Sequence, residues 1–431
     1  MVFKMEDRNQ PPKLPEEPMQ KGPRLQTQYD PGVPASGRYI DVLMREAYEA
    51  MKKGQYQASA EIFEEILKKF KNEVKDSEKN IINCELGTLY FWLGDYESAR
   101  RYCEDALSIK DDNDQAHVIL GKVAMSRFHF SVARGHFNKI SEDNPDKYIG
   151  LCFLAIKMRD TTGAEIFMNR AAGKLPQTDT ELRICRAYFL LLKGDADFAG
   201  KEARAIMPKC EKDPFLLGIV GEILMTAGNY GEAIAAAHKI LVVCKENDQA
   251  LALLAHAAYA QENFSAAYNY ADEAVRFNPL NAYAKTVLMK IATREGNYAL
   301  AENIGTQILS DSPEYALGHA NLGDVYFVQN RYELAEIEYE QTMELMNSDT
   351  KGARLRKARM KFIKEDYKGA AEILEELTKV YHTYYDDAVC DLLLCYEKLG
   401  NEQQKADLMD KAQMRRGFYH RTQQILQSFE E

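Results

Sequence analysis

The sequence lacks the features by which membrane proteins, disulfide-stabilised proteins and the common enzyme classes are recognised. Its longest stretch without a charged residue, roughly residues 250–261, is shorter than the ~20 apolar residues that a membrane-spanning helix needs. None of the eight cysteines forms a C-x-x-C pair, and most occupy apolar helix positions, which is typical of reduced thiols. The motifs G-x-x-x-x-G-K-[ST], G-x-G-x-x-G and H-E-x-x-H are absent. We therefore expect no enzyme, no cofactor and no metal site.

The balance of charge excludes two further classes of protein. The net charge of −11 argues against a general binder of nucleic acid or of anionic membranes. It is compatible with a cationic partner or with solubility alone. The N-terminal region has no basic segment followed by an apolar run, so we expect no signal peptide and a cytoplasmic location, with the nucleus and the cilium as alternatives.

Proline is scarce except at one end of the chain. Seven of the thirteen prolines lie within residues 1–38, where the few apolar residues show no period. This composition predicts a proline-rich extended or disordered arm over residues 1–38. The helical pattern begins at residue 39 and predicts a solenoid over residues 39–420, followed by a C-terminal tail over residues 421–431.

A fixed spacing of 34 residues runs through the middle of the chain. Alanines stand at positions 199, 233, 267, 301 and 335, and aromatic residues stand at 230, 264, 298 and 332. A unit of two short helices cannot bury its apolar face alone and must stack on a copy of itself. The spacing predicts an all-α fold, an α-solenoid superhelix of about eleven helix pairs, with a fourth pair about three residues short.

The markers that recur with this spacing resemble those of the tetratricopeptide repeat (TPR) superfamily over roughly residues 40–420. The second unit carries Leu86, Gly87, Tyr90, Gly94, Tyr96, Ala99 and Ala106. The ninth unit matches best, with Leu322, Gly323, Tyr326, Tyr332, Ala335 and Tyr339. The tryptophan slot of the family holds His117 in the third unit and His319 in the ninth.

The resemblance implies a right-handed superhelix whose first helices line a concave groove for extended peptides or partner helices. It implies a non-catalytic protein-interaction scaffold, a subunit of a large assembly such as a ciliary, axonemal or cell-cycle ubiquitin-ligase complex. The alternatives are a free adaptor or co-chaperone that recognises short linear peptides, and an enzyme with repeats attached. By helical phase, the expected groove residues are Phe91, Trp92, Lys122, Glu222, His256, Tyr259, Lys290, Arg294, Asp324 and Phe327.

One branch of the family grips the C-terminal carboxylates of chaperones with lysine and asparagine on three consecutive first helices. The corresponding places in the first two units hold Met44, Tyr48 and Glu85. The clamp is not recognisable there, which argues against the co-chaperone alternative.

The sequence changes from acidic to basic between the ninth and tenth units. Five glutamates between residues 333 and 344 are followed by seven lysines and arginines between residues 351 and 364. The two helices can neutralise each other, or the second can present a docking patch for an acidic partner segment. At about 100° per residue, Arg356 and Arg359 point away from the side shared by Arg354, Lys357 and Lys361. We expect Arg356 and Arg359 to be free to contact such a segment.

Two cysteines near the C-terminus can be interpreted in two ways. Cys390 and Cys395 are five residues apart on one helix, near His382, and can be a thiol or metal site or two small apolar fillers. Zinc sites need closer, four-ligand geometry, which favours the fillers.

Overall fold

The computed structural model describes residues 38–346, 350–380, 384–413 and 420–430. Within those ranges the chain forms twenty-three α-helices, one short 3₁₀ helix after α10, and no strand. Apart from its last residue, the proline-rich arm lies outside the described residues. The α-helices are α1 Tyr39–Lys52, α2 Tyr56–Lys69, α3 Asp76–Leu93, α4 Tyr96–Ile109, α5 Asp114–Ser126, α6 Phe130–Lys139, α7 Pro145–Lys157, α8 Thr161–Ala172, α9 Thr180–Leu192, α10 Ala196–Ile206, α11 Pro214–Thr226, α12 Tyr230–Val243, α13 Asp248–Ala260, α14 Phe264–Phe277, α15 Ala282–Arg294, α16 Tyr298–Asp311, α17 Ala316–Val328, α18 Tyr332–Leu345, α19 Lys351–Ile363, α20 Tyr367–Leu377, α21 Tyr385–Leu399, α22 Glu402–Gln413 and α23 His420–Glu430.

The first twenty-two α-helices form eleven antiparallel pairs, each joined by a tight turn. Every turn contains one residue with positive φ, here called the turn residue, and six of the eleven are glycine, which adopts this conformation without strain. The turn residues are Gly54, Gly94, Phe128, Arg159, Gly194, Gly228, Glu262, Gly296, Asn330, Glu365 and Gly400. From Gly194 to Asn330 they are 34 residues apart, and the step from Phe128 to Arg159 is 31. The predicted all-α solenoid of about eleven pairs is therefore confirmed.

Small residues lie where the two helices of a pair cross. Ala267, Ala301 and Ala335 have no exposed surface. A β-carbon on Gly323 would lie 2.6 Å from the ring of Tyr339, which is closer than van der Waals contact allows. Close approach at these positions lets the large apolar residues around them interlock, which is why alanine recurs with the period of the fold.

Successive turns of the superhelix touch one another. Phe128 stacks on Tyr315 with 4.0 Å between ring centroids, although 187 residues separate them. Elsewhere the Tyr56 hydroxyl donates to the carbonyl of Lys212 at 2.6 Å. Each contact joins a pair to one several pairs further along the chain. The superhelix is thus wound tightly enough for its inner face to be filled by its own side chains.

The C-terminal segment differs from the tail expected for residues 421–431. Its described part belongs to α23, which packs against α21: Leu426 is fully buried, and the Thr422 hydroxyl lies 3.5 Å from the Cys390 thiol. Burial raises the pKa of Cys390 and of Cys395 to about 12, so both thiols stay protonated as apolar fillers do. His382 lies outside the described residues.

Candidate protein-binding site along the superhelix axis

The inner face of the superhelix is lined by one position of each first helix, six residues before the turn residue. This axial position contains much of the charge predicted for the groove. Its occupants from the third pair to the tenth are Lys122, Phe153, Tyr188, Glu222, His256, Lys290, Asp324 and Arg359. Phe91, Trp92, Tyr259, Arg294 and Phe327 come two or three residues before their turn residues and border the same surface.

In the early pairs the inner side chains hold two turns together. Phe91 packs against Phe215 at 5.3 Å between ring centroids, and Trp92 packs against Tyr56 at 4.9 Å. The Lys122 ammonium lies 5.0 Å above the centre of the Phe215 ring. Phe91, Trp92 and Lys122 are therefore buried, and the surface that they were expected to offer to a partner is covered by this chain itself.

The middle of the axis contains an ion pair with one partner that sequence analysis missed. Lys157 is paired with Glu222, and the Tyr188 hydroxyl donates to the same carboxylate at 3.1 Å. Burial alone would lower the pKa of Lys157, but the neighbouring Glu222 raises it above its ordinary value. Lys157 comes two residues before its turn residue, as Trp92 and Arg294 do. Counting back from the turn of the shortened fourth pair would therefore have placed Lys157 on the inner face.

His256 is buried and neutral. Its ring stacks on Tyr283 with 3.7 Å between centroids, and its Nε2 lies 2.9 Å from the Tyr283 carbonyl oxygen. Burial, followed by the charge of Lys290, lowers the pKa of His256 to about 3. His256 therefore contributes packing to the axis and no charge at physiological pH.

The expectation that Arg356 and Arg359 are free is wrong. Arg356 donates from Nη2 to Asp324 at 2.6 Å, and Arg359 donates from Nη1 to the other oxygen of that carboxylate at 2.7 Å. Arg359 also donates to Asp387 at 2.8 Å and to Asp391 at 2.7 Å, and its side chain is 1% exposed.

The helical phase of these two arginines was read correctly, but its consequence was not. They do point away from α18, toward α17 and α21, whose aspartates neutralise them. On the opposite side, Lys364 pairs with Glu336 of α18 at 3.3 Å, as mutual neutralisation of the two helices requires. The basic helix is thus engaged on two faces.

Four of the predicted groove residues keep partial exposure and line one open cleft. They are Tyr259, Lys290, Arg294 and Asp324. The cleft is completed by Met289, Thr293, Asn321, Val328, Tyr384 and Asp387. The Lys290 ammonium lies 5.6 Å from the ring centre of Tyr259 and 6.0 Å from that of Tyr384. Sequence analysis could not place Tyr384 or Asp387, because they come from a pair three units further along.

Two possible chemistries have no support in the described residues. Nowhere in the described part of the chain do three histidine, cysteine or acidic side chains come close enough together to hold a metal ion. No described helix combines the length and the apolar character needed to cross a membrane.

The fold and its charged inner face define an α-solenoid of stacked helix hairpins. A family model for tetratricopeptide repeats matches residues 44–116 and 290–344, so these two regions are similar to that family, as the sequence predicted. No curated protein matches the chain.

Solved structures similar to this chain include three repeat proteins. The APC/C hetero-tetramer Cut9-Hcn1 matches with 14% identity, a TM-score of 0.47, and 87% of this chain and 86% of that chain covered. Yeast Tom70 matches with 15% identity, a TM-score of 0.37, and coverage of 86% and 91%. The human IFIT1 dimer with m7Gppp-AAAA matches with 13% identity, a TM-score of 0.46, and coverage of 88% and 90%. Identities this low concern the fold alone.

Proposed function

We propose that this chain is a non-catalytic scaffold subunit of a multi-protein assembly, and that it presents a rigid superhelix to several partners. The observation that carries the proposal is the closure of one superhelical turn on the next. A solenoid that binds peptides along its groove needs an open inner face, whereas a scaffold needs a fixed shape. Here most of the inner side chains make contacts with other parts of the same chain.

The contact around Phe128 supports a fixed shape most directly. Phe128 has φ of 58°, a left-handed conformation that costs a residue with a side chain about 1–2 kcal/mol. Its stacking on Tyr315 is reinforced by Ser312, which donates to the Arg127 carbonyl at 2.9 Å, and by the Ser131 amide, which donates to Glu314 at 3.0 Å.

Three large apolar side chains are exposed at one position of the second helices. Phe198, Leu300 and Leu334 each precede the buried alanine of their pair by one residue and are 37–50% exposed. The same position holds Glu232 and Ala266 in the two pairs between Phe198 and Leu300, so the apolar side chains are concentrated at Leu300 and Leu334 in adjacent pairs. The scaffold therefore has room for partners on its outer face as well as in the cleft around Lys290.

Purification of the tagged full-length chain from its native cells, followed by native mass spectrometry, tests the proposal. We expect stoichiometric partners and a complex well above the 49.1 kDa of the single chain. Phe198→Asp should release at least one partner, while the matched control Lys201→Asp on the exposed face of the same helix should release none. A monomer with substoichiometric partners would favour the free adaptor. The partners' identities would distinguish a ciliary from a cell-cycle assembly.

A further inference from the structure

The cleft around Lys290 differs electrostatically from the rest of the axis. The axial and bordering cations elsewhere each have a carboxylate within ion-pair distance: Lys122 with Glu181 at 3.5 Å, Arg294 with Asp386 at 3.5 Å, and Arg359 with three aspartates. Within the described residues Lys290 has no such carboxylate. Its ammonium faces the rings of Tyr259 and Tyr384 instead.

The two aspartates that line the cleft do not cancel this charge. Asp324 is engaged by Arg356 and Arg359, and Asp387 accepts from Arg359 at 2.8 Å. Lys290 is the largest cause of a lowered pKa at Tyr384, so its field favours a negative group in the cleft. Apolar and aromatic walls strengthen that field because they exclude water.

We infer that the cleft around Lys290 binds an acidic side chain of an extended segment of a partner protein. The inference rests on the proposed protein-binding role and names the partner chemistry for one part of it. A single unneutralised cation between two tyrosine rings suits one carboxylate flanked by apolar or aromatic residues. A polyanion such as RNA suits the site less, because the whole chain carries a net charge of −11 and repels it.

A phage-displayed library of random dodecapeptides, selected on the full-length protein, tests the inference. We expect the wild-type protein to enrich sequences with aspartate or glutamate at one fixed position, and the Lys290→Gln variant to lose that preference. For the best peptide, made synthetically, replacing its acidic residue by the amide should weaken binding by about tenfold or more, with greater loss at low salt.

Two further variants separate the charge of Lys290 from its packing. Lys290→Arg should keep binding within about threefold of wild type, since the charge is retained. Lys201→Gln removes an exposed lysine from α10 and should change nothing. Enrichment without an acidic consensus, the same consensus on Lys290→Gln, or no enrichment at all would each overturn the inference. If partners still co-purify stoichiometrically in that case, the scaffold proposal stands, and only the acidic ligand is wrong.

Discussion

Lys290 and Arg359 occupy the same axial position two pairs apart, and their surroundings could hardly differ more. Arg359 is buried among three aspartates, whereas Lys290 lies half-buried between two tyrosine rings. Both are basic residues at one helical phase, so local sequence treats them alike. The difference comes from the eleventh pair: α21 carries Asp387 and Asp391 next to Arg359 of the adjacent pair, and Tyr384, just before α21, lies near Lys290 three pairs away. The role of a solenoid side chain is decided by the side chains that other pairs place beside it.

The largest effect on stability should come from replacing Arg359, the cation that is paired with three aspartates. Arg359→Met leaves three buried or half-buried aspartates with one partner fewer, and we expect it to destabilise the fold by about 3 kcal/mol or more. Urea denaturation followed by circular dichroism measures the change. Arg359→Lys, which keeps the charge without the forked geometry, should lie in between. A loss below about 1 kcal/mol for Arg359→Met would show that the network contributes little.

The framework that both sites share should be the next most sensitive. Ala301→Leu enlarges a side chain with no exposed surface where α15 and α16 cross, and overpacking of this kind costs about 1–3 kcal/mol. Leu300→Ala alters the exposed neighbour and serves as the matched control, with an expected change within about 0.5 kcal/mol. Equal melting temperatures for both variants and the wild type would contradict the assigned packing.

A third prediction concerns Glu85, which occupies in the second pair the position that Asp391 occupies in the eleventh. Glu85, like Asp391, comes nine residues before its turn residue, yet within the described chain its only hydrogen bond is from Tyr48 at 3.3 Å. Burial raises the pKa of Glu85 from 4.5 to about 8. The folded state thus holds a proton that the unfolded state has lost, and stability falls as the pH rises between these values.

Glu85→Gln should remove that pH dependence and raise the melting temperature at pH 8, with a gain on the order of 1 kcal/mol. Thermal melts at several pH values measure it. Glu49→Gln, at an exposed site on α1, should leave the pH profile unchanged. A stability that rises with pH in the wild type over this interval, after subtraction of the Glu85→Gln profile, would reverse the sign assigned to Glu85.

The smallest effect on stability should come from replacing Lys290, the cation that lies between two tyrosine rings. Lys290→Gln removes a charge that has no carboxylate partner in the described residues, so we expect the free energy of unfolding to change by no more than about 0.5 kcal/mol. The same urea titration checks this value beside that of Arg359→Met. A cost as large as that of Arg359→Met would mean that Lys290 holds the fold together and is not available to a ligand.

The period of the fold could be predicted from the sequence because it depends on packing within single helix pairs. Alanine recurs where each hairpin crosses itself, and glycine recurs in six of the eleven turns. Both requirements arise within one pair, so the spacing alone was enough to predict about eleven pairs and the shortened fourth one. The positions expected in the groove rest on helical phase, which is also a local property.

The partners of those positions could not be read from sequence. The radius of the superhelix is the sum of small rotations between pairs, and no single residue encodes it. That radius decides that Phe128 meets Tyr315, and that Lys290 meets Tyr384. A left-handed phenylalanine gives no warning in the sequence, because glycine marks only six of the eleven turns and the other five hold residues of different types. Only Lys157 of the fourth pair could have been predicted from the sequence, by following the turn spacing through the short repeat.

The contact between Phe128 and Tyr315 also bears on how the chain folds and comes apart. In an open array each repeat contacts only its neighbours, and unfolding can begin at either end and spread step by step. A clasp between residues 187 positions apart links the third pair to the start of the ninth, so the pairs between them form a closed loop. Fraying from the C-terminal end then stops at this contact, and the loop opens cooperatively. Closing it during folding requires every intervening pair to be in place, which makes it a late and slow event.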